Sequence, residues 1–109
     1  MANAYKILGQ SAPSAAADTD VYTVPSATES VISTIVIANR AATAGTFRIA
    51  FRPDGGAIAN SHYIAYDVPI AANDSTTLTL GITLNAADVV TVQCDSADMT
   101  VSIFGTEIS

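Results

Sequence analysis

The sequence contains a single histidine, His62, and a single cysteine, Cys94, as its best candidates for a base and a nucleophile. Nucleophilic catalysis needs a nucleophile, a base and a group that orients the base. His62 follows a glycine- and alanine-rich stretch at the start of an apolar run, which is typical of an ordinary loop histidine. Cys94 ends the alternating segment Val89–Cys94, which predicts a strand with a small, buried, apolar cysteine. We therefore predict that the chain is not an enzyme and has no catalytic residues.

The carboxylates are spaced for turns rather than for a metal ion. Asp18 and Asp20 precede a predicted strand, and Asp95 and Asp98 lie on either side of one turn. A metal site needs several His, Cys or clustered carboxylate ligands, and neither pair has the spacing of a calcium loop. Paired carboxylates for glycoside hydrolysis stay open at this stage, although both glutamates lie at predicted strand ends: Glu29 and Glu107. We predict no metal and no cofactor.

Two further kinds of binding site can be examined from residue types. Gly55-Gly56 is followed neither by a helical pattern nor by Lys-Ser/Thr, so the sequence contains no phosphate-binding motif. Arg48 and Arg52 share the solvent face of one predicted strand, and Arg40 comes shortly before it. These arginines either bind an acidic partner surface or are simply solvated, and both alternatives stay open.

Length and charge limit the class of protein. A chain of 109 residues predicts one domain over residues 1–109. Its net charge of −6 opposes binding to phosphates and to anionic membrane surfaces, so we predict neither a nucleic-acid nor a membrane partner. No apolar run reaches the ~20 residues of a membrane span. The apolar stretch after Lys6 is too short for a signal peptide.

Alternation with a period of two predicts a protein built from strands. Phe47–Phe51 alternates apolar with polar or small residues, and a second alternating segment has its apolar set at Leu78, Leu80, Ile82 and Leu84. Val31–Ala38 becomes apolar on both faces, which predicts a central strand. Weaker patterns predict strands at Tyr5–Leu8, Val21–Val24, His62–Val68, Val89–Cys94 and Thr100–Phe104. Because turn residues such as Pro53–Gly56 separate these segments, we predict an all-β fold, a β-sandwich or jelly roll of about eight short antiparallel strands.

Two segments of the predicted sandwich are candidates for contact with other molecules. The last predicted strand, Thr100–Phe104, has no charge, and Asp98 and Glu107 flank it. As an edge strand it would expose unpaired backbone groups that invite pairing with another chain. The small residues of the Ser11–Asp18 loop bury little by themselves. We therefore predict a homo-oligomer that uses an edge strand or this loop.

Several segments resemble a family of small virion structural proteins of tailed bacteriophages, including phages of cyanobacteria and marine bacteria. The resemblance covers nearly the whole chain and rests on Met1–Gln10, Tyr22–Pro25, Ser33–Arg40, Thr46–Ala50, Tyr63–Asp67, Leu80–Leu84 and Phe104–Ile108. It implies a capsid decoration or cement protein, made in the host cytoplasm, that binds the major capsid protein or other virion proteins on the capsid surface. A trimer is the first expectation for such a protein.

Two alternatives differ from head decoration. The resemblance is also compatible with a neck, tail or fibre component, including a receptor- or carbohydrate-binding β-sandwich module. The absence of tryptophan from the sequence counts against a carbohydrate-binding module, because aromatic rings stack on sugars. A small hydrolase is the other alternative, and the single histidine counts against it.

Overall fold

Eight strands and two single 3₁₀ turns make up the part of the chain described by the computed structural model, which covers residues 3–109 apart from the side chain of Leu80. The strands are β1 (Asn3–Ser11), β2 (Thr19–Thr23), β3 (Glu29–Asn39), β4 (Gly45–Arg52), β5 (Tyr63–Ile70), β6 (Ser75–Leu84), β7 (Val89–Cys94) and β8 (Met99–Ile108). The turns are Pro53–Gly55 and Asn60–His62. The predicted all-β fold is confirmed.

The strands form two four-stranded antiparallel sheets with the connectivity of a jelly roll. Sheet A has the order β1-β8-β3-β6 and sheet B the order β2-β7-β4-β5. Each strand of the first half of the chain therefore pairs with its counterpart in the second half: β1 with β8, β2 with β7, β3 with β6 and β4 with β5. This nested pairing is that of one long hairpin wound into a sandwich, which is the jelly-roll arrangement.

The core lies between the two sheets and consists of branched aliphatic side chains around one phenylalanine. Phe47 and Ile49 of β4 point inward from sheet B, and Ile35 and Ile37 of β3 point inward from sheet A. In β8 alternation buries Met99, Val101 and Ile103, as a two-faced sheet requires. The remaining fully buried large side chains are Ile32, Ile103, Met99, Val24, Val90, Val92, Val101 and Cys94.

Each of the four edge strands contains an irregularity in its pairing. The register shifts between Ile7 and Gly9 in β1 and between Asp20 and Tyr22 in β2. β5 shifts twice against β4, and β6 has one extra residue between Thr79 and Ile82. Bulges of this kind twist a strand edge and hinder the addition of another strand.

The structure confirms the eight predicted strands, with bounds that differ by a few residues, and corrects one inference. β3 lies between β8 and β6, so the central position of Val31–Ala38 is confirmed. The assumption that Thr100–Phe104 is an exposed edge is wrong, because β8 lies between β1 and β3 and is paired on both sides. Glu107 is a residue of β8 itself rather than its flank. The extra residue between Thr79 and Ile82 interrupts the predicted alternation of β6. The sequence predicts that Leu80 is buried, and its side chain lies outside the part of the chain that the structure describes.

Candidate functional site

His62 and Cys94, the best candidates in the sequence for a base and a nucleophile, lie in different surroundings. His62 ends the Asn60–His62 turn, where its Nδ1 accepts a hydrogen bond from the Ala59 N–H at 3.1 Å. Cys94 is fully buried among core side chains at the end of β7. Burial, with a smaller contribution from Asp95, raises the pKa of the Cys94 thiol to about 11. The thiol is therefore protonated at neutral pH. Among the described residues, no side-chain hydrogen bond joins it to a base.

Of the four aspartates predicted to serve turns, Asp20 instead contacts Arg52 at 2.9 Å and accepts a hydrogen bond from the Thr91 hydroxyl at 3.0 Å. Two other aspartates accept hydrogen bonds within turns. The Asp88 carboxylate accepts hydrogen bonds from the Asp54 and Asn85 N–H groups, each at 2.8 Å. Asp74 accepts one from the Ser75 N–H at 2.8 Å. Within residues 3–109, no three His, Cys, Asp or Glu side chains come together in a way that could hold a metal ion. The same stretch contains no helix with the length and apolarity of a membrane span.

The outer face of sheet B is polar, and its arginines have partners in the same chain. Arg48 binds Asp67 through two nitrogens, at 2.7 and 3.3 Å, and lies 4.0 Å from the centre of the Tyr66 ring. The hydrogen bond and charge of Arg48 lower the pKa of Asp67. Arg52 likewise contacts Asp20 at 2.9 Å. Two of the three arginines that the sequence offered to an acidic partner, Arg48 and Arg52, therefore form ion pairs within the chain.

A shallow depression lies beside the Arg48–Asp67 pair. It has a volume of about 290 Å³ and is lined by Ala16, Thr46, Phe47, Arg48, Asp67, Gln93 and Asp95. Tyr66 and Tyr63 stand next to it, with ring centres 4.9 Å apart and planes nearly perpendicular. Asp67 has a positive φ of 51°, at the point where β5 bulges out of register with β4. Sequence patterns did not reveal this cluster, because the bulge aligns residues that simple alternation separates.

A second cluster of polar side chains connects the beginning of β1 to the rest of the sandwich through a salt bridge and hydrogen bonds. Lys6 contacts Glu107 at 2.6 Å, and the Tyr22 hydroxyl donates to the other oxygen of Glu107 at 2.6 Å. The Tyr22 oxygen also lies 2.6 Å from the Ser30 hydroxyl. Burial first, and then the hydrogen bond to Glu107, raise the pKa of Tyr22 to about 12, so Tyr22 stays a donor. Lys6 and Tyr22 together lower the pKa of Glu107.

The outer face of sheet A differs from that of sheet B in having almost no charge. Tyr5 and Ile7 of β1 are 81% and 52% exposed and lie beside Thr106 and Phe104 of β8. Only one charged residue, Glu29, occurs among the outward positions of the four strands. By register these are Asn3, Tyr5, Ile7 and Gln10; Thr100, Ser102, Phe104, Thr106 and Ile108; Glu29, Val31, Thr34, Val36 and Ala38; and Ser75, Thr77, Thr79 and Thr83. Depletion of charge is the compositional mark of the centre of a protein interface.

The sequence was compared with known proteins. No protein-family model matches the chain, and no curated protein matches it either.

Proposed function

We propose that this chain is a structural protein of a tailed-phage virion, specifically a decoration or cement protein that binds and stabilises the assembled head shell. One observation carries the proposal: among the outward positions that the structure describes on the four strands of sheet A, a single residue is charged, although the chain has a net charge of −6. A broad sheet face with so little charge suits attachment to another protein surface. The motif resemblance over nearly the whole chain supports the particle as the site of attachment.

The fold agrees with this function without selecting it. Jelly rolls occur in viral capsid proteins and in lectins, so the architecture is compatible with a shell component and with a sugar-binding module. We propose the major capsid protein or other virion proteins as partners, and the capsid surface as the location. We also propose a homo-oligomer on the particle, with a trimer as the first expectation, because closed symmetric assembly covers strand edges.

Copy number in purified particles tests the proposal. Quantitative mass spectrometry of virions measures copies of this chain per copy of the major capsid protein. We expect a ratio near one, or a fixed simple fraction of it, because decoration follows the shell lattice. A few copies per particle would instead support a neck, tail or fibre component. Complete absence from the particle would rule out both.

We further propose that the chain performs no catalysis in the particle. Cys94 is buried with a raised pKa, and the His62 Nδ1 is engaged with the backbone of its own turn. Replacing His62 by Ala and Cys94 by Ser should leave infectivity unchanged in particles that contain the normal amount of the protein. Loss of infectivity at normal assembly and normal content would contradict a purely structural role.

A receptor- or carbohydrate-binding fibre module is the second candidate, and one observation favours it. The depression of about 290 Å³ beside Arg48 and Asp67 has hydrogen-bonding groups at its wall, with an exposed tyrosine, Tyr66, next to it. Binding of the purified chain to host-cell surface glycans would support this candidate if Tyr66→Ser abolishes it. Tyr5→Ser, which changes an exposed tyrosine on the opposite sheet, is the matched control.

A further inference from the structure

The outer face of sheet A has one charge at each end of β3 and none between them. Glu29 begins the strand, and Arg40 directly follows its last residue, Asn39; both Glu29 and Arg40 are exposed. The outward residues between them are Val31, Thr34, Val36 and Ala38. At the other end, exposed Asp98 lies beside Arg40, whose N–H donates to the Asp98 carbonyl oxygen at 3.0 Å. The face therefore has a negative end at Glu29 and an end with charges of both signs at Arg40 and Asp98.

Arg40 differs from the other basic residues of the chain. Lys6, Arg48 and Arg52 each form a salt bridge with a carboxylate of the same chain. Over residues 3–109 no carboxylate lies within salt-bridge distance of Arg40, whose guanidinium reaches only the Ala97 carbonyl oxygen at 3.5 Å. The one basic side chain left for a carboxylate of another molecule thus stands at the end of the uncharged face.

We propose that this face is a self-association surface, on which a second copy of the chain packs face to face about a two-fold axis. The axis lies between sheet A of one copy and sheet A of the other, and it runs perpendicular to their strands. As a result, β3 lies antiparallel over β3 of the second copy. Glu29 of each copy then meets Arg40 of the other, and the contact contains this ion pair twice. A contact of this kind is isologous and self-complementary, as a two-fold axis requires.

The sizes of the side chains agree with the same arrangement. Bulky residues occupy the Glu29 end of the face, where Tyr5, Ile7 and Phe104 stand out from β1 and β8. Small residues occupy the Arg40 end, where Ala38 and Ser102 lie on β3 and β8. A two-fold axis placed midway along β3 sets Phe104 over Ser102 of the second copy and Val31 over its Ala38. Large groups therefore meet small ones along the contact, as close packing of two sheets requires.

A second copy is the occupant that charge and area favour. Two molecules of net charge −6 repel each other unless they meet through neutral surface, and the outer face of sheet B contains charged pairs instead. Four strands at ~4.8 Å spacing over six rows of side chains give roughly 600 Å² of sheet per copy. About 1,200 Å² in total is the lower limit for a specific interface, so the dimer should dissociate on dilution.

The mass of the purified chain across a concentration series tests the proposal. Sedimentation equilibrium should show a reversible dimer of twice the 11.1 kDa monomer mass. Glu29→Arg and Arg40→Glu should each weaken dimerisation by about tenfold, because each places like charges together at both ends of the contact. The double variant Glu29→Arg/Arg40→Glu should restore the dissociation constant of the parent protein.

The direction of the Glu29→Arg effect separates a specific pair from general electrostatics. This variant lowers the magnitude of the net charge, so non-specific repulsion would weaken and association would increase. Gln93→Lys on the outer face of sheet B makes a smaller change of the same sign and should leave dimerisation unchanged. Circular dichroism confirms that each variant is folded, and rescue in the double variant excludes misfolding of the single ones.

Several outcomes would overturn the proposal. A monomer at the highest attainable concentration, a dimer indifferent to both charge reversals, or a trimer insensitive to them would each do so. An isologous contact closes at two copies, so a trimer would have to use an edge strand instead. In solution this contact covers the face that the proposed function assigns to the shell, so the dimer has to dissociate before the chain attaches there. The proposal itself does not rest on a role in the virion, because the purified chain alone is measured. Absence of the chain from particles would leave it standing.

Discussion

At the scale of single residues, the Glu107 carboxylate links side chains of the two sheets. It is 13% exposed and joins the edge strand β1, through Lys6, to Tyr22 of the opposite sheet. Since Lys6 and Tyr22 lower its folded pKa below the unfolded value, the stabilisation is present above the unfolded pKa of about 4.3 and is lost as pH falls through the folded pKa. The beginning of β1 should accordingly detach in acid before the sandwich unfolds.

Glu107→Gln tests this role. At pH 7 we expect a loss of about 1 kcal/mol, because the charge-assisted bonds to Lys6 and Tyr22 weaken, and a drop of roughly 5 °C in melting temperature. The difference from the parent protein should shrink as the pH falls through the lowered folded pKa of Glu107, because below it the carboxyl is protonated in both states. Glu29→Gln removes the same charge from an exposed position without a salt bridge, so it should change stability little in dilute solution. A pH-independent deficit in Glu107→Gln would contradict the assignment.

Residue types predicted some of these environments and missed others, for a physical reason. The burial of Cys94 followed from alternation, which is a property of neighbouring residues. The contact between Tyr22 and Glu107 joins positions 85 apart, and the pair of Arg48 with Asp67 depends on a bulge. Local patterns define faces of strands but say nothing about which strand lies opposite, so neither cluster was predictable.

At the scale of elements, local sequence patterns predict where the strands are but not their order in the sheets. All eight segments predicted as strands are strands, because alternation and turn residues act locally. The order of strands in the sheets depends on the winding of the whole chain. For that reason the sequence pattern alone predicts an edge at Thr100–Phe104, although β8 is enclosed between β1 and β3. Its lack of charge reflects this interior position in sheet A rather than an unguarded edge.

Replacing either of two strand glycines by alanine should change the stability of the protein, in opposite directions for the two positions. A Cβ at Gly105 of β8 would overlap the Val31 carbonyl oxygen and approach Leu8 at 3.1 Å, where β1 and β3 bulge beside it. Gly105→Ala should therefore destabilise the protein by about 1–3 kcal/mol. At Gly81 of β6 a Cβ meets nothing within 4 Å, so Gly81→Ala should be neutral or stabilise by up to about 1 kcal/mol. Chemical denaturation measures both, and a tolerated alanine at Gly105 would show that β3 moves easily away from β8.

At the scale of the whole molecule, the nested winding closes the chain on itself. Asn3 pairs with Ile108, so the two ends of the described chain lie side by side in sheet A. Every strand finds its partners within one copy, and the outer face of sheet A is complete before any second copy arrives. Association through that face therefore joins finished domains and requires no exchange of strands between them.

Refolding kinetics test this independence of folding and association. Because strands far apart in sequence must pair, we expect folding in milliseconds to seconds rather than microseconds. Stopped-flow tyrosine fluorescence should give a main refolding rate that does not change with protein concentration. The charge-reversal variants Glu29→Arg and Arg40→Glu should refold at nearly the parent rate, because their residues act only after the sandwich has formed. A main phase that accelerates with concentration would mean that copies exchange strands while folding, and the dimer would then be domain-swapped rather than a contact between two faces of sheet A.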